Sequence, residues 1–292
     1  MRGSLVSRQD GLKSLVSRSH CFIRRLLLLS NGTHDTSFCI ESGTVDMQTD
    51  NKAKDISVVI LCYKAGEEVG AFVDEVRQSL THRELSYELV LVANYNANEK
   101  DTDKTPAIVK RIAERDLNIT VVSKVKEGGM GWDLRSGLLV ASGKTIAYID
   151  GDGQMPADDI VRVYDSLISG PYDCAKTYRT KRGDGRKRGF ISFIYNTLLM
   201  VLFPKVSVGD ANAKPKIFTR KAFQKLRLTS PGWFIDAEII IQGSYLGFQF
   251  VEIPTVFREN KYRKSFVRPS AIFEFLWNLI LFRLTRMHEF KQ

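Results

Sequence analysis

The segment Ile146-Ala-Tyr-Ile-Asp-Gly-Asp-Gly-Gln154 decides how this chain is read. Its mostly apolar start predicts a buried strand that runs straight into two carboxylates separated by one glycine. In an extended segment the side chains of Asp150 and Asp152 lie on the same side, so both can reach a single hard cation. Gly151 and Gly153 permit a sharp turn and leave room for a bulky anionic ligand close to the main chain. A cation held by only one or two carboxylates keeps positions open for water and substrate phosphates. Asp-Gly-Asp by itself also suits an ordinary tight turn. The strand before it, Gln154 after it and Pro156 at a helix start favour a metal site made of Asp150, Asp152 and Gln154.

Upstream of this segment the pattern alternates. Ile56–Cys62 reads as a buried strand, Glu67–Leu80 as a helix with Val69, Phe72, Val73 and Val76 inward, and Tyr87–Ala93 as a second strand. A helix over Pro106–Arg115, a strand over Ile119–Val122 and a helix over Asp133–Ala141 complete the approach to Asp150. Such alternation predicts an α/β fold with a mainly parallel sheet and helices on both faces. Ligands of such sheets bind beyond the carboxyl ends of the strands, where Tyr63 and Asn94 join the two aspartates.

The second half adds a strand at Tyr172–Thr177 and two apolar helices, Phe190–Phe203 and Ala271–Leu284. Each falls short of the about 18 uninterrupted apolar residues that a membrane-spanning helix needs. Basic clusters precede both: Lys176 to Arg188 before the first, and Lys261, Arg263, Lys264 and Arg268 before the second. Apolar helices beside cations fit the surface of an anionic membrane, although a core helix beside a solvated basic loop has the same pattern. For the second helix the membrane or an oligomer contact is the favoured reading.

The whole composition agrees with one large domain carrying appendages. The 292 residues are 43% hydrophobic, with a net charge of +10 and a pI near 9.4, which call for an anionic partner. Cys21, Cys39, Cys62 and Cys174 are scattered without metal or redox spacing, which fits buried thiols in a reducing compartment. His20, His34, His82 and His288 show no metal-ligand spacing either. Residues 1–54 differ from the rest, being rich in Ser, Arg, Asn and Thr, and read as a disordered extension. Their arginine bias is shared by organelle transit peptides, a reading not favoured here. Residues 55–268 form the expected domain, and 269–292 a C-terminal amphipathic helix. Clustered Arg and Lys without a recognition helix or aromatic platform argue against nucleic acid as the partner.

With these motifs in order, the chain resembles the family 2 glycosyltransferases, most closely those that act on dolichyl or polyprenyl phosphate. Ser57–Tyr63 looks like the family's first strand, and Gly129-Met-Gly-Trp-Asp-Leu-Arg-Ser-Gly-Leu138 like its Gly-x-Gly helix entry. Asp150, Asp152 and Gln154 match Asp-x-Asp-x-Gln, and Arg179 falls where an arginine contacts phosphate. Asp210–Phe218 is similar to a segment whose arginine is replaced here by Lys216. Phe234-Ile-Asp-Ala-Glu238, Val251–Phe257 and Arg263-Lys-Ser-Phe266 resemble the closing segments. The departures are Lys64-Ala65 in place of Asn-Glu and Ala93-Asn94 in place of Asp-Asp, which blur the identity of the nucleoside.

The resemblance implies a GT-A type nucleotide-sugar-binding fold and a metal-dependent, inverting transfer of a hexose from a GDP- or UDP-sugar. Mg2+ or Mn2+ would be the cofactor. Donor contacts are expected from Tyr63, Glu67, Asn94, Gly129, Gly131, Arg135, Asp150, Arg179, Lys216 and Ser265. The acceptor implied is a polyprenyl or dolichyl phosphate, with the enzyme peripheral on the cytoplasmic face of a membrane. A lipid phosphate is already an anionic nucleophile, whereas a hydroxyl acceptor needs a base, for which Glu238 and Asp236 are the candidates. Asp152, through the metal, and Arg179, through phosphate, are the other expected catalytic residues. Glu238 and Asp236 can instead be charges at the start of a helix, the cleft reading being favoured for Glu238. A catalytically silent nucleotide-binding relative is the alternative, against which the intact Asp150-x-Asp152-x-Gln154 argues. Trp132 and Trp233 are read as core residues rather than stacking platforms.

Overall fold

Strand β1 (Ile56–Leu61) is buried along its whole length in the computed structural model, which describes residues 53–182, 186–258 and 270–290. It pairs in parallel with β2 (Tyr87–Val92) on one side and β4 (Thr145–Asp150) on the other. A strand covered on both faces carries no alternation, and this is why Ile56–Leu61 reads as an unbroken apolar run. β3 (Ile119–Val122) extends the parallel set beyond β2. Past β4 lie β6 (Lys216–Thr219), β5 (Cys174–Arg182) and β7 (Phe250–Phe257), giving the order β3-β2-β1-β4-β6-β5-β7. β6 runs antiparallel to both neighbours, whereas β5 and β7 pair in parallel. The expected mainly parallel sheet is therefore present, with one reversed strand that the sequence pattern did not announce.

Successive side chains of a strand point to opposite faces. Val58 and Ile60 enter a cluster with α1 (Glu68–His82), α2 (Thr105–Ala113) and α4 (Asp159–Ile168). Val59 and Leu61 meet α3 (Met130–Leu138) and α7 (Ile235–Tyr245) on the other face. A third cluster does not touch the sheet's centre. There Tyr195, Leu199 and Phe203, from α5 (Arg186–Leu202) and the residue after it, pack with Phe234 and Ile241 of the α7 region and with Leu279 and Phe282 of α8 (Ser270–Thr285). A single turn, α6 (Arg220–Phe223), follows β6, its Thr219 hydroxyl accepting from the Ala222 amide.

The boundaries depart from expectation at α3, which begins at Met130 rather than Asp133. In the sequence Asp133 looks like the acidic residue that opens a helix. It sits instead inside the helix, 4% exposed, paired with Lys126 and accepting from Asn94. Burial raises the Asp133 carboxyl above its ordinary value, with Lys126 pulling the other way. The expected extension over residues 1–54 lies almost wholly outside the described residues, as do Ser265 and the basic run Lys261–Arg268.

The α3 entry is pressed against the loop before α7. The Trp132 amide donates to the Pro231 carbonyl at 3.0 Å. A Cβ on Gly131 would collide with the Ser230 carbonyl and stand 2.7 Å from that of Gly232. Backbone cannot yield as a flexible side chain can, so Gly131→Ala is expected to cost about 1–3 kcal/mol. Urea unfolding followed by far-ultraviolet circular dichroism measures this; an unchanged midpoint would contradict the close approach.

Candidate active site

The sheet reverses its winding direction between β1 and β4, and a crevice opens at the carboxyl ends of strands at such a point. Leu61 and Asp150 are register partners there. The strand stops at Asp150, and residues 151 and 152 form a turn, so Asp152 is delivered by that turn rather than along an extended segment. The Asp152 Oδ1 accepts from the Gln154 amide at 3.1 Å, and Gly153 takes φ +66°, which favours glycine. Gln154 is fastened to the far side: its Nε2 donates to the Arg258 carbonyl at 3.1 Å, and the Arg258 amide returns a bond to the Gln154 carbonyl at 2.9 Å. The Gln154 amide nitrogen thus braces the end of β7 beside the carboxylates.

The decisive neighbour is Lys214. Antiparallel pairing of β4 with β6 sets Tyr148 opposite Lys216, and the same register carried two residues on brings Lys214 to Asp150. Lys214 Nζ lies 3.0 Å from Asp150 Oδ2 and 3.3 Å from Asp236 Oδ2. Lys216, one alternation away on the same face, reaches Asp236 Oδ1 at 2.5 Å, and the Tyr148 hydroxyl donates to that oxygen at 2.7 Å. Burial by itself would lower the Lys214 pKa, but Asp150 and Asp236 outweigh it and raise the group above its ordinary value. Burial pushes the Lys216 ammonium down to about 8 despite Asp236. Burial would likewise raise Asp236, yet Lys214 and Lys216 together hold it below the usual carboxylate range.

Several expected roles change on this geometry. Among the described residues Lys216, 0% exposed, pairs with Asp236 alone, so the cation that touches Asp150 is Lys214, itself buried. Asp236, 3% exposed and enclosed by two lysines and a tyrosine, balances charge and is not placed as a base. Glu238 is 0% exposed and accepts from Thr229, from the Ser230 amide at 2.8 Å and from Gln242, so it ties down the loop before α7 rather than acting as a base. Asn94 is also 0% exposed; its amide donates to Asp133 and Ser136 and its Oδ1 accepts from the Lys124 amide, which spends it inside the fold. Gly131 serves the close packing described above, and Arg135 donates to the Thr229 carbonyl at 2.8 Å. Gly129 precedes α3 at the rim of the crevice.

Arg179 stands near the site with its guanidinium held in a two-point bond to Asp210, at 2.6 and 2.8 Å, above the Phe257 ring. Tyr63 lies at the end of β1, its hydroxyl 3.0 Å from Glu99 Oε2, with Lys126 Nζ 3.9 Å from its ring centroid. Glu67 is exposed just ahead of α1. Sequence reasoning does not reach Glu99 or Lys126, and it gives no role to Asp210 or Lys214 within the segment Asp210–Phe218. A Lys-x-Lys pair ahead of a reversed strand was the available signal for Lys214, since alternation places both lysines on one face.

Asp150 is 38% exposed at its side chain, and among the described residues no three His, Cys, Asp or Glu side chains cluster as a closed metal site. Two carboxylates at an open strand end fit a hard divalent cation that shares its coordination with a substrate, and Lys214 occupies one oxygen of Asp150 only.

Residues 57–227 match the sequence profile of glycosyl transferase family 2. The chain is 32% identical over 158 residues to glycosyltransferase AglD of Haloferax volcanii, a match covering 52% of this chain and 25% of that protein. It is 22% identical over 223 residues to the human dolichyl-phosphate beta-glucosyltransferase, covering 70% of this chain and 67% of the relative. The chain thus spans only a quarter of the archaeal protein's length. The solved structure of glucosyl-3-phosphoglycerate synthase from Mycobacterium tuberculosis, in complex with Mn2+, UDP and glucosyl-3-phosphoglycerate, superposes with a TM-score of 0.59. That likeness holds at 19% identity over 79% of this chain and 80% of the other, and it shows a shared GT-A-like fold. On the match of more than half its length, the chain belongs to glycosyl transferase family 2.

Proposed function

We propose that this protein transfers a hexose, with inversion, from a GDP- or UDP-linked sugar to a polyprenyl or dolichyl phosphate, in a reaction that depends on Mg2+ or Mn2+. The observation that carries the proposal is the pair Asp150 and Asp152 at the open end of β4, with Lys214 bonded to the first. In the transfer, the bond between the anomeric carbon and the diphosphate oxygen breaks as the acceptor oxygen attacks from the opposite face. A cation held by Asp150 and Asp152 would supply Lewis-acid neutralisation of the departing diphosphate. Lys214, buried against Asp150, would add positive charge beside the diphosphate, and Arg179 would add charge-assisted contacts to phosphate oxygens.

Burial of both base candidates supports a phosphate acceptor over a hydroxyl acceptor. Asp236 and Glu238 are spent on internal partners, and a phosphate monoester needs no base to become a nucleophile. The name of the human relative points to the same acceptor class. The intact carboxylate pair also supports an active enzyme rather than a silent relative.

A lipid acceptor implies contact with a membrane, and the surface supports it. On α5, Phe193 is 67% exposed and Val201 69%; on α8, Trp277 is 65% exposed and Leu284 77%. The sequence brings Arg186, Lys187 and Arg188 to the start of α5 and Arg283 to the end of α8. Among the described residues no helix is long and apolar enough to cross a membrane, so the proposed contact is peripheral.

Asp152→Ala is expected to lower transfer of labelled hexose from sugar nucleotide to polyprenyl phosphate by about a hundredfold or more, with an unchanged melting temperature. Chelation of divalent ions should do the same to the wild type. Full turnover in either case would refute the carboxylate assignment. Deleting α8 is a poor test of the membrane contact, because Leu279 and Phe282 belong to the core. The double substitution Trp277→Ser and Leu284→Ser spares them; it should reduce co-sedimentation with vesicles containing anionic phospholipid, and undiminished binding would count against that surface.

A further inference from the structure

A cavity of about 450 Å³ lies between the turn ahead of α3, the loop ahead of α7 and the inner side of α8. Glu127, Gly129, Trp233, Phe234, Glu274 and Asn278 are among its lining residues. Its size falls in the range of about 300–1,000 Å³ typical of small-molecule sites. Two of its lining residues are followed closely in the chain by residues that contact Lys214. Gly129 precedes Met130, whose sulfur is 3.7 Å from Lys214 Nζ, and Phe234 stands two residues before Asp236, which is 3.3 Å from the same nitrogen.

The chemistry of its walls differs from that of the cleft. The chain carries a net charge of +10, yet among the described residues this cavity presents two carboxylates and no cation. Glu274 is an exposed residue of this lining, its Oε1 2.9 Å from where a Cβ on Gly232 would stand. Phosphates are repelled by such a lining and are served instead by Lys214 and Arg179. Carboxylate and carboxamide oxygens accept hydrogen bonds from hydroxyl groups, and an aromatic face covers the apolar C–H face of a ring. Trp233, read from the sequence as a core residue, packs partly against the sheet cluster and also lines the cavity.

Resting on the transferase reading above, we propose that this cavity receives a neutral pyranose ring, with Glu274 and Asn278 accepting its hydroxyls and Trp233 flanking it. The site thereby separates its ligands by charge: phosphates toward Lys214, sugar toward Glu274. The ring is that of the donor, since the polyprenyl phosphate proposed as acceptor carries no sugar.

Calorimetric titration in the presence of Mn2+, with UDP-glucose, GDP-mannose, UDP and GDP as ligands, tests this on Glu274→Gln and Asn278→Ala variants checked for unchanged melting temperature. A donor ring predicts that either substitution weakens the preferred sugar nucleotide by about tenfold while its nucleoside diphosphate binds as before. The assignment is overturned if both variants keep wild-type affinity for the sugar nucleotide. Wild-type protein that binds neither sugar nucleotides nor nucleoside diphosphates would overturn the transferase reading and this one together.

Discussion

Two buried lysines set the constraint around which the site is organised. Lys214 and Lys216 enter the interior side by side, 5% and 0% exposed, at the reversed strand of the sheet. Unpaired charges there would cost several kcal/mol each. Asp236 from α7 answers both, Tyr148 from β4 completes its shell, and Asp150 is left to engage Lys214 alone. One internal carboxylate thereby fixes the position of the cation that meets Asp150. The arrangement joins three elements distant in sequence, β4, β6 and α7, at the point where the sheet changes direction.

Charge pairing of this kind distinguishes residues that build the site from those that face a ligand. Asp236 and Glu238 look equivalent on one helix start, yet their internal partners differ. The first holds the two lysines, and the second holds the Thr229–Ser230 backbone. Arg179 keeps its position through Asp210, and Tyr63 through Glu99 and Asn96. The groups with room to meet a substrate are Asp150, Asp152 and the turn ahead of α3, with Lys214 buried against Asp150.

The parallel half of the sheet was legible in the sequence because strands buried on both faces read as apolar runs and the intervening helices repeat at 3.6 residues. The carboxylate pair was legible for the same reason, since its glycines interrupt such a run. What sequence could not carry is register. β6 is four residues long, too short for a periodic signal, and its reversal alone decides that Lys214 rather than Lys216 meets Asp150. Asn94 and Asp133 were misplaced for a related reason: a polar residue at a strand end or helix start looks like a ligand or a cap until its buried partner is known. Trp233 packs against the core as expected and also lines a cavity that the sequence does not announce.

The central claim is that Asp150 and Asp152 jointly hold the cation that meets the donor diphosphate. Electron paramagnetic resonance of Mn2+ titrated into the protein with UDP or GDP tests it most directly. The account predicts that nucleotide-dependent Mn2+ binding is present in the wild type and lost in both Asp150→Asn and Asp152→Asn. Bound Mn2+ persisting at wild-type stoichiometry and affinity in those variants would contradict it.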